Sequence, residues 1–185
     1  AVCEDCDVRM QNAEMAYWGM RGLYFLAGSK KRYDEHRENL DPNLRWNIED
    51  ALASTSADMA AALAEQTRIY QDFQAVFDRY DVLITPAVNV LPFPHRIAYP
   101  ETLDGRPARH YSEWYSVTYG ISLVGHPAIA IPAGLDSQGT PFGLQVVGAR
   151  FGDHRLLEIA QALESMLAAY SETRRPLPDI DALSN

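Results

Sequence analysis

Lysine is nearly absent. The chain of 185 residues carries 16 basic side chains, and only Lys30 and Lys31 are lysines. A lysine that acts as a base must be neutral, and neutrality needs burial. A doublet beside Arg32 favours exposure and full charge instead. Cysteine is as scarce: Cys3 and Cys6 are the only two, which fits a reducing compartment and a cytoplasmic protein. They form Cys3-Glu4-Asp5-Cys6, but no second pair follows and no histidine stands at ligand spacing. Idle thiols on a frayed or packed N-terminus are expected there, with no metal. Positive charge is short, with 16 Lys and Arg against 25 Asp and Glu, a net charge of −9. That argues against nucleic acid and anionic membrane surfaces as partners. No apolar run approaches the length of a membrane span. The residues from Ala1 onward show neither a basic region nor the apolar core of an export signal. A G-x-S-x-G elbow is missing, since Gly120-Ile121-Ser122-Leu123-Val124-Gly125 has the wrong spacing, and so is H-E-x-x-H. No internal repeat or low-complexity segment is found.

What remains is an ordinary globular composition, 47% hydrophobic and 22% charged, in a chain long enough for one domain with a core. Residues 1–27 carry an amphipathic pattern through Met10, Ala13, Tyr17, Met20 and Phe25, which predicts a helix ending near Gly28. Residues 28–47 are polar, with Asp41-Pro42 as a turn or helix start. Asp34-Glu35-His36 reads as a solvated face, because three consecutive residues splay apart on a helix. Thr55-Ser56-Ala57-Asp58 has capping-box spacing, with aspartate in place of glutamate. Met59, Leu63, Tyr70, Phe73 and Phe77 then share one core-facing stripe. A strand at residues 82–85 stops at Pro86. Residues 86–110 form a proline-studded loop with little periodicity, a length that is usually functional or packed over another element. Residues 111–123 read as a helix carrying Trp114, Tyr115, Thr118 and Tyr119. Asp153 reads as the N-cap of a last helix with Leu156, Leu157, Ala160, Leu163 and Leu167 inward. The tail from Ser171, with Pro176 and Pro178, is expected to be extended.

Residues 123–148, LVGHPAIAIPAGLDSQGTPFGLQVVG, are the most informative run. Two apolar segments, 128–132 and 142–147, flank a short polar connection from Asp136 to Pro141. On physical grounds these are two buried strands joined by a tight turn. Neither carries a charge, so both faces are expected to be covered, with the first strand central and dry. Gly125, Gly134, Gly143 and Gly148 are placed where the backbone bends or meets a neighbour. His126 precedes Pro127, so its backbone is expected to be extended, and no catalysis is assigned to it. His95, in the proline loop, is the better pocket histidine.

The wording of this run resembles the C-terminal signature of the amidase signature family, serine hydrolases of carboxamides. There G-x-P-A-(I/V)-x-(I/V)-P-x-G is followed by G-x-P-x-G-(L/V)-Q-(L/V)-(V/I)-G. Here Gly125-His126-Pro127-Ala128-Ile129-Ala130-Ile131-Pro132-Ala133-Gly134 and Gly139-Thr140-Pro141-Phe142-Gly143-Leu144-Gln145-Val146-Val147-Gly148 stand in those places. Tyr80-Asp81-Val82-Leu83-Ile84-Thr85-Pro86 is similar to the family's Y-D-(V/L)-L-(L/I)-x-P. Asp153, Leu156, Leu157, Ala160 and Glu164 match its final helix. The likeness is clear over residues 49–164, and holds for the first fifty only by position.

The resemblance implies a fold and a role. The fold is α/β, a mixed β-sheet covered by helices, and the chain is the C-terminal part of an amidase domain. On this reading residues 1–80 are mainly helical, 81–150 hold strands and the proline-rich loop, and 151–185 hold the last helix and tail. The family's chemistry is that of a Ser–cis-Ser–Lys triad with a Gly/Ser-rich loop of G-G-S-S-G-G type, and this chain has no such loop. No catalytic residue is therefore assigned, and no cofactor. Pro86, Val88, Phe93, Trp114 and Thr118 are expected to line the acyl or leaving-group pocket; plain core packing explains Trp114 equally well. At the glycine turn the chain has Ser122-Leu123-Val124-Gly125 where N-L-x-G is commoner. Members that act on glutaminyl-tRNA tend to carry an acid where Tyr115 aligns. With the charge of −9, this points to a simple amide, aryl amide or lactam-type substrate. The expected partners are a small-molecule amide and the missing N-terminal half or a second copy of the chain. The alternatives are a stand-alone non-catalytic binding domain and one subunit of a split amidase.

Overall fold

In the computed structural model, which describes residues 1–180, α1 (Ala13–His36) runs well past the glycine expected to end it. Glycine lowers helix stability by about 1 kcal/mol, and the following residues offset it. Lys30 lies 2.6 Å from Asp34 and Lys31 3.9 Å from Glu35, both one helical turn apart. The Tyr33 hydroxyl and Arg37 Nε each donate to Glu49 at 3.0 Å, tying the end of α1 to α2 (Pro42–Ala53). The polar stretch from residue 28 is thus mostly helix.

The next two helix starts follow local chemistry. Asp41 caps α2, accepting from the backbone N–H of Asn43 at 2.9 Å and of Leu44 at 3.3 Å, with Pro42 in the first turn. Thr55 and Asp58 form the full capping box of α3 (Ser56–Phe77). The buried face of α3 is Ala62, Ile69, Phe73 and Val76, whereas Leu63, expected inward, is 46% exposed. The cause is close packing with α1. A Cβ at Gly19 would collide with that of Ala62, and one at Gly22 would meet Ala51 of α2 at 3.0 Å. Only small residues fit there, so Ala13, Ala16 and Gly22 are the buried residues of α1.

The chain divides into two compact units. The first is Ala1–Arg79 with Tyr119–Val124; the second is Tyr80–Thr118 with the residues from Gly125 onward. The helix α4 (Ser116–Leu123) contributes residues to both.

The second unit is built on β1 (Leu83–Pro86), β4 (Ala128–Leu135) and β5 (Pro141–Val147), in the order β1-β5-β4. Leu83 pairs with Val147, and Ala128 with Val147 from the other side; both pairings are antiparallel. Helices with a sheet make this the expected α/β class. The β4–β5 connection is the predicted tight turn: Asp136 Oδ1 accepts from Gln138 N and Thr140 N at 2.8 Å. A second, two-stranded sheet, β2 (Thr102–Leu103) with β3 (Arg106–Pro107), lies inside the stretch read as irregular. Asp104 and Gly105 both have positive φ, 50° and 75°, as a primed hairpin turn requires.

The expectation of a central, dry strand at 128–132 is overturned: β5 is central and β4 is an edge. Along β4 Ala128 and Ala130 are exposed, Ile129 is half-buried and Ile131 buried. The reason is coverage. α5 (Asp153–Leu167) lies over one face only, where Leu156 and Ala160 pack with Ile131 and Val146. Gly148 allows that approach, since a Cβ there would meet the Leu156 Cβ at 3.2 Å. The N-cap of α5 is Gly152, with Asp153 the first helical residue, and Leu157 points out, 57% exposed. The tail first turns, with Arg174 N donating to Tyr170 O at 2.9 Å, and carries no regular element up to residue 180. Its continuation, 181–185, lies outside the described residues.

Candidate functional site

Where β1 ends at Pro86, the chain stays pinned. Ala87 N donates to Gly143 O at 3.1 Å, prolonging the pairing with β5. Thr118 Oγ1 donates to Ala87 O at 2.8 Å. Asn89 N donates to Trp114 O at 3.2 Å, and Asn89 Oδ1 accepts from Val117 N at 2.9 Å. That side chain satisfies one of the unpaired N–H groups at the start of α4. Three bonds thus clamp residues 87–89 to residues 114–118.

This clamp brings the five expected pocket residues to one part of the second unit. Pro86 and Val88 are exposed on the clamped segment, while Thr118 is half-buried beneath it. Phe93 returns to meet Trp114 edge to face, ring centroids 5.3 Å apart, with Tyr115 edge-on to the same indole at 5.1 Å. Under the strand end, buried Gln145 donates through Nε2 to Thr85 Oγ1 at 3.2 Å. Asn89 holds the arrangement together and was missed. Its only signal was a lone polar residue in the apolar run Ala87-Val88-Asn89-Val90-Leu91.

Beside Trp114, the buried carboxylate of Glu113 collects four donors. Arg106 Nη2 lies at 2.6 Å, Arg109 backbone N and Nη2 at 2.8 Å, and Arg109 Nε at 2.9 Å. The Arg106 hydrogen bond, with help from Arg109 and against burial, brings its pKa from 4.5 to about 2. Glu113 is therefore ionised at neutral pH and cannot serve as a general acid. It fastens the β2–β3 hairpin next to Trp114. His126 is buried with Nδ1 3.1 Å from Gly148 O, and burial lowers its pKa. It sits neutral between strand ends. His95 is exposed on its loop.

The chemistry these residues offer is shape and hydrogen bonding. Lys30 and Lys31 lie on α1 beside Asp34 and Glu35. Cys3 and Cys6 are free and exposed. Among the described residues no group of three His, Cys, Asp or Glu could hold a metal ion, and no helix is long and apolar enough to cross a membrane. A cleft of about 420 Å³ lies in the first unit, and none of the five expected residues lines it.

The family model described as Amidase matches residues 15–157. A glutamyl-tRNA(Gln) amidotransferase subunit of Halothermothrix orenii is 38% identical over 112 residues, 60% of this chain and 21% of that protein. A fatty acid amide hydrolase of Medicago truncatula is 33% identical over 131 residues, 70% of this chain and 21% of its own length. The chain thus spans about a fifth of the length of these relatives. A crystal structure of an amidase superposes with a TM-score of 0.75 at 26% identity, over 86% of this chain and 36% of the other. A bacterial aryl acylamidase of the amidase signature enzymes shares the fold, with a TM-score of 0.75 at 22% identity over 94% of this chain and 39% of that one.

Proposed function

The chain belongs to the amidase family, and from that premise we propose that it is the C-terminal part of an enzyme that hydrolyses a carboxamide to a carboxylic acid and ammonia or an amine. The reaction runs through an acyl-serine to water. Nucleophile, bridging serine, lysine and oxyanion donors belong to polypeptide beyond these 185 residues, either the rest of one amidase domain or a separate chain. This part supplies sheet, covering helices and a pocket wall, acting in the cytoplasm. The observation that carries the reading is the clamp of residues 87–89 on residues 114–118 within the matched region. It supports the reading of Pro86, Val88, Phe93, Trp114 and Thr118 as that wall. The edge-to-face pair of Phe93 and Trp114 favours a flat apolar substituent, so the substrate is a small amide, aryl amide or lactam.

Two assays test this. The 185-residue chain alone is expected to leave p-nitroanilides uncleaved and to take up no fluorophosphonate. One serine labelled stoichiometrically, with turnover lost on its replacement, would show the chain to be complete as a catalyst. In the intact enzyme Trp114→Ala is expected to raise KM for an aryl amide about fivefold to tenfold, in line with the ~1 kcal/mol of an aromatic contact. KM for acetamide should barely move. Equal losses on both amides would remove Trp114 from the pocket.

A further inference from the structure

Trp114 sits beside a joint in the backbone. A single 3-10 turn, Glu113–Tyr115, runs straight into α4 at Ser116. The bonds of a 3-10 turn have poorer geometry than those of an α-helix, and so short a helix does little to hold its own first turn. The direction in which the joint carries the Trp114 side chain therefore depends on bonds from outside it.

Asn89 supplies two of them. Its backbone N donates to Trp114 O at 3.2 Å, on the near side of the joint. Its Oδ1 accepts from Val117 N at 2.9 Å, on the far side. Only the oxygen of a carboxamide can accept from an N–H, so the orientation of this side chain is set. Its Nδ2 makes no hydrogen bond among the described residues, and the residue is exposed. The remaining bond of the clamp, from Thr118 Oγ1 to Ala87 O at 2.8 Å, holds α4 alone. Phe93 and Tyr115 meet the indole edge to face at 5.3 and 5.1 Å, but those ring contacts do not fix the backbone beneath it. Of the hydrogen bonds between residues 87–89 and 114–118, only those of Asn89 reach both sides.

We propose that Asn89 is a positioning residue for substrate specificity: it touches no substrate atom, and by bracing the joint it holds the Trp114 indole where an aryl substituent meets it. This role rests on the reading of Trp114 as pocket wall. The geometry also says which replacement serves. Aspartate keeps the acceptor for Val117 N, gives up only the Nδ2 that makes no bond, and places a negative charge where a helix start favours one. Alanine keeps the backbone bond to Trp114 O and loses the far half of the brace.

The test uses the intact enzyme, with its tryptophans replaced by fluorotryptophan and the Trp114 line identified by its loss in Trp114→Ala. Asn89→Ala should move that fluorine line, and Asn89→Asp should return it. Asn89→Ala should also raise KM for an aryl amide about fivefold, the weight of one capping bond in an equilibrium constant, with kcat and the KM for acetamide changed by less than about twofold. Asn89→Asp should restore the aryl-amide KM. Added to Trp114→Ala, Asn89→Ala should raise KM no further, because it acts through the indole. An unmoved fluorine line or additive losses in the double variant would overturn the role. So would an Asn89→Asp enzyme as poor as Asn89→Ala, which would mean that Nδ2 itself meets the substrate. Trp114→Ala separates the two readings. If it raises the aryl-amide KM while Asn89→Ala does not, the brace fails and the wall stands; if it weakens both amides equally, the wall fails and the role of Asn89 with it.

Discussion

Replacing Glu113 by glutamine isolates a charge whose worth can be worked out. The side chain is 5% exposed, and its carboxyl titrates near 2 instead of 4.5. That difference corresponds to about 3 kcal/mol of native-state stability, at ~1.4 kcal/mol per tenfold change. The partners are half in water, Arg106 at 50% and Arg109 at 58% exposed, so screening reduces the figure to about 2 kcal/mol. The sign follows from the direction. A folded pKa below the unfolded one gives stability that is complete above pH 4.5 and is lost as pH falls toward 2. Urea denaturation of both chains at pH 7, 5, 4 and 3 reads it directly. The wild type should exceed Glu113→Gln by about 2 kcal/mol at pH 7. The gap should persist at pH 5 and shrink steadily at pH 4 and 3. A gap that stays constant with pH would mean the loss comes from shape or from Gln packing, and the ion cluster would carry none of it.

Two further outcomes follow from the sheet. Ile131→Ala is expected to cost about 2–5 kcal/mol and Ile129→Ala about 1 kcal/mol, because the first is buried under α5 and the second only half-covered; equal losses in thermal unfolding would place both on the covered face. The exposed edge and face of β4 should draw another chain, so sedimentation equilibrium at micromolar concentration is expected to show a dimer or larger species, against which a compact, cooperatively melting monomer would count.

Local signals in the sequence were reliable where a single short contact decides the outcome. Thr55 and Asp58 make the box their spacing announces, and Asp41-Pro42 starts a helix. The hairpin of β4 and β5 closes on Asp136 as its turn residues require. Reading failed where distant residues decide. Gly28 did not end α1, because Tyr33 and Arg37 reach Glu49 on another helix. The uncharged β4 looked like a strand covered on both sides, yet covering depends on partners, not on its own composition. The proposed pocket wall shows both effects. Family wording pointed to its five residues, while Asn89 and the Arg106–Arg109–Glu113 cluster are long-range or loop pairings with no periodic trace.

The most instructive failure concerns size. In α1 the periodicity joins large and small apolar residues, Met10, Ala13, Tyr17, Met20 and Phe25, in one amphipathic pattern. The structure separates the two sizes: helices approach closely where Gly19 and Gly22 meet Ala62 and Ala51, while Tyr17, Met20 and Phe25 stay half-buried. A stripe of small residues one-third of a turn away from an aromatic stripe therefore marks two different surfaces on one helix. Close packing uses the small stripe, because backbone approach gains contacts that bulky side chains prevent.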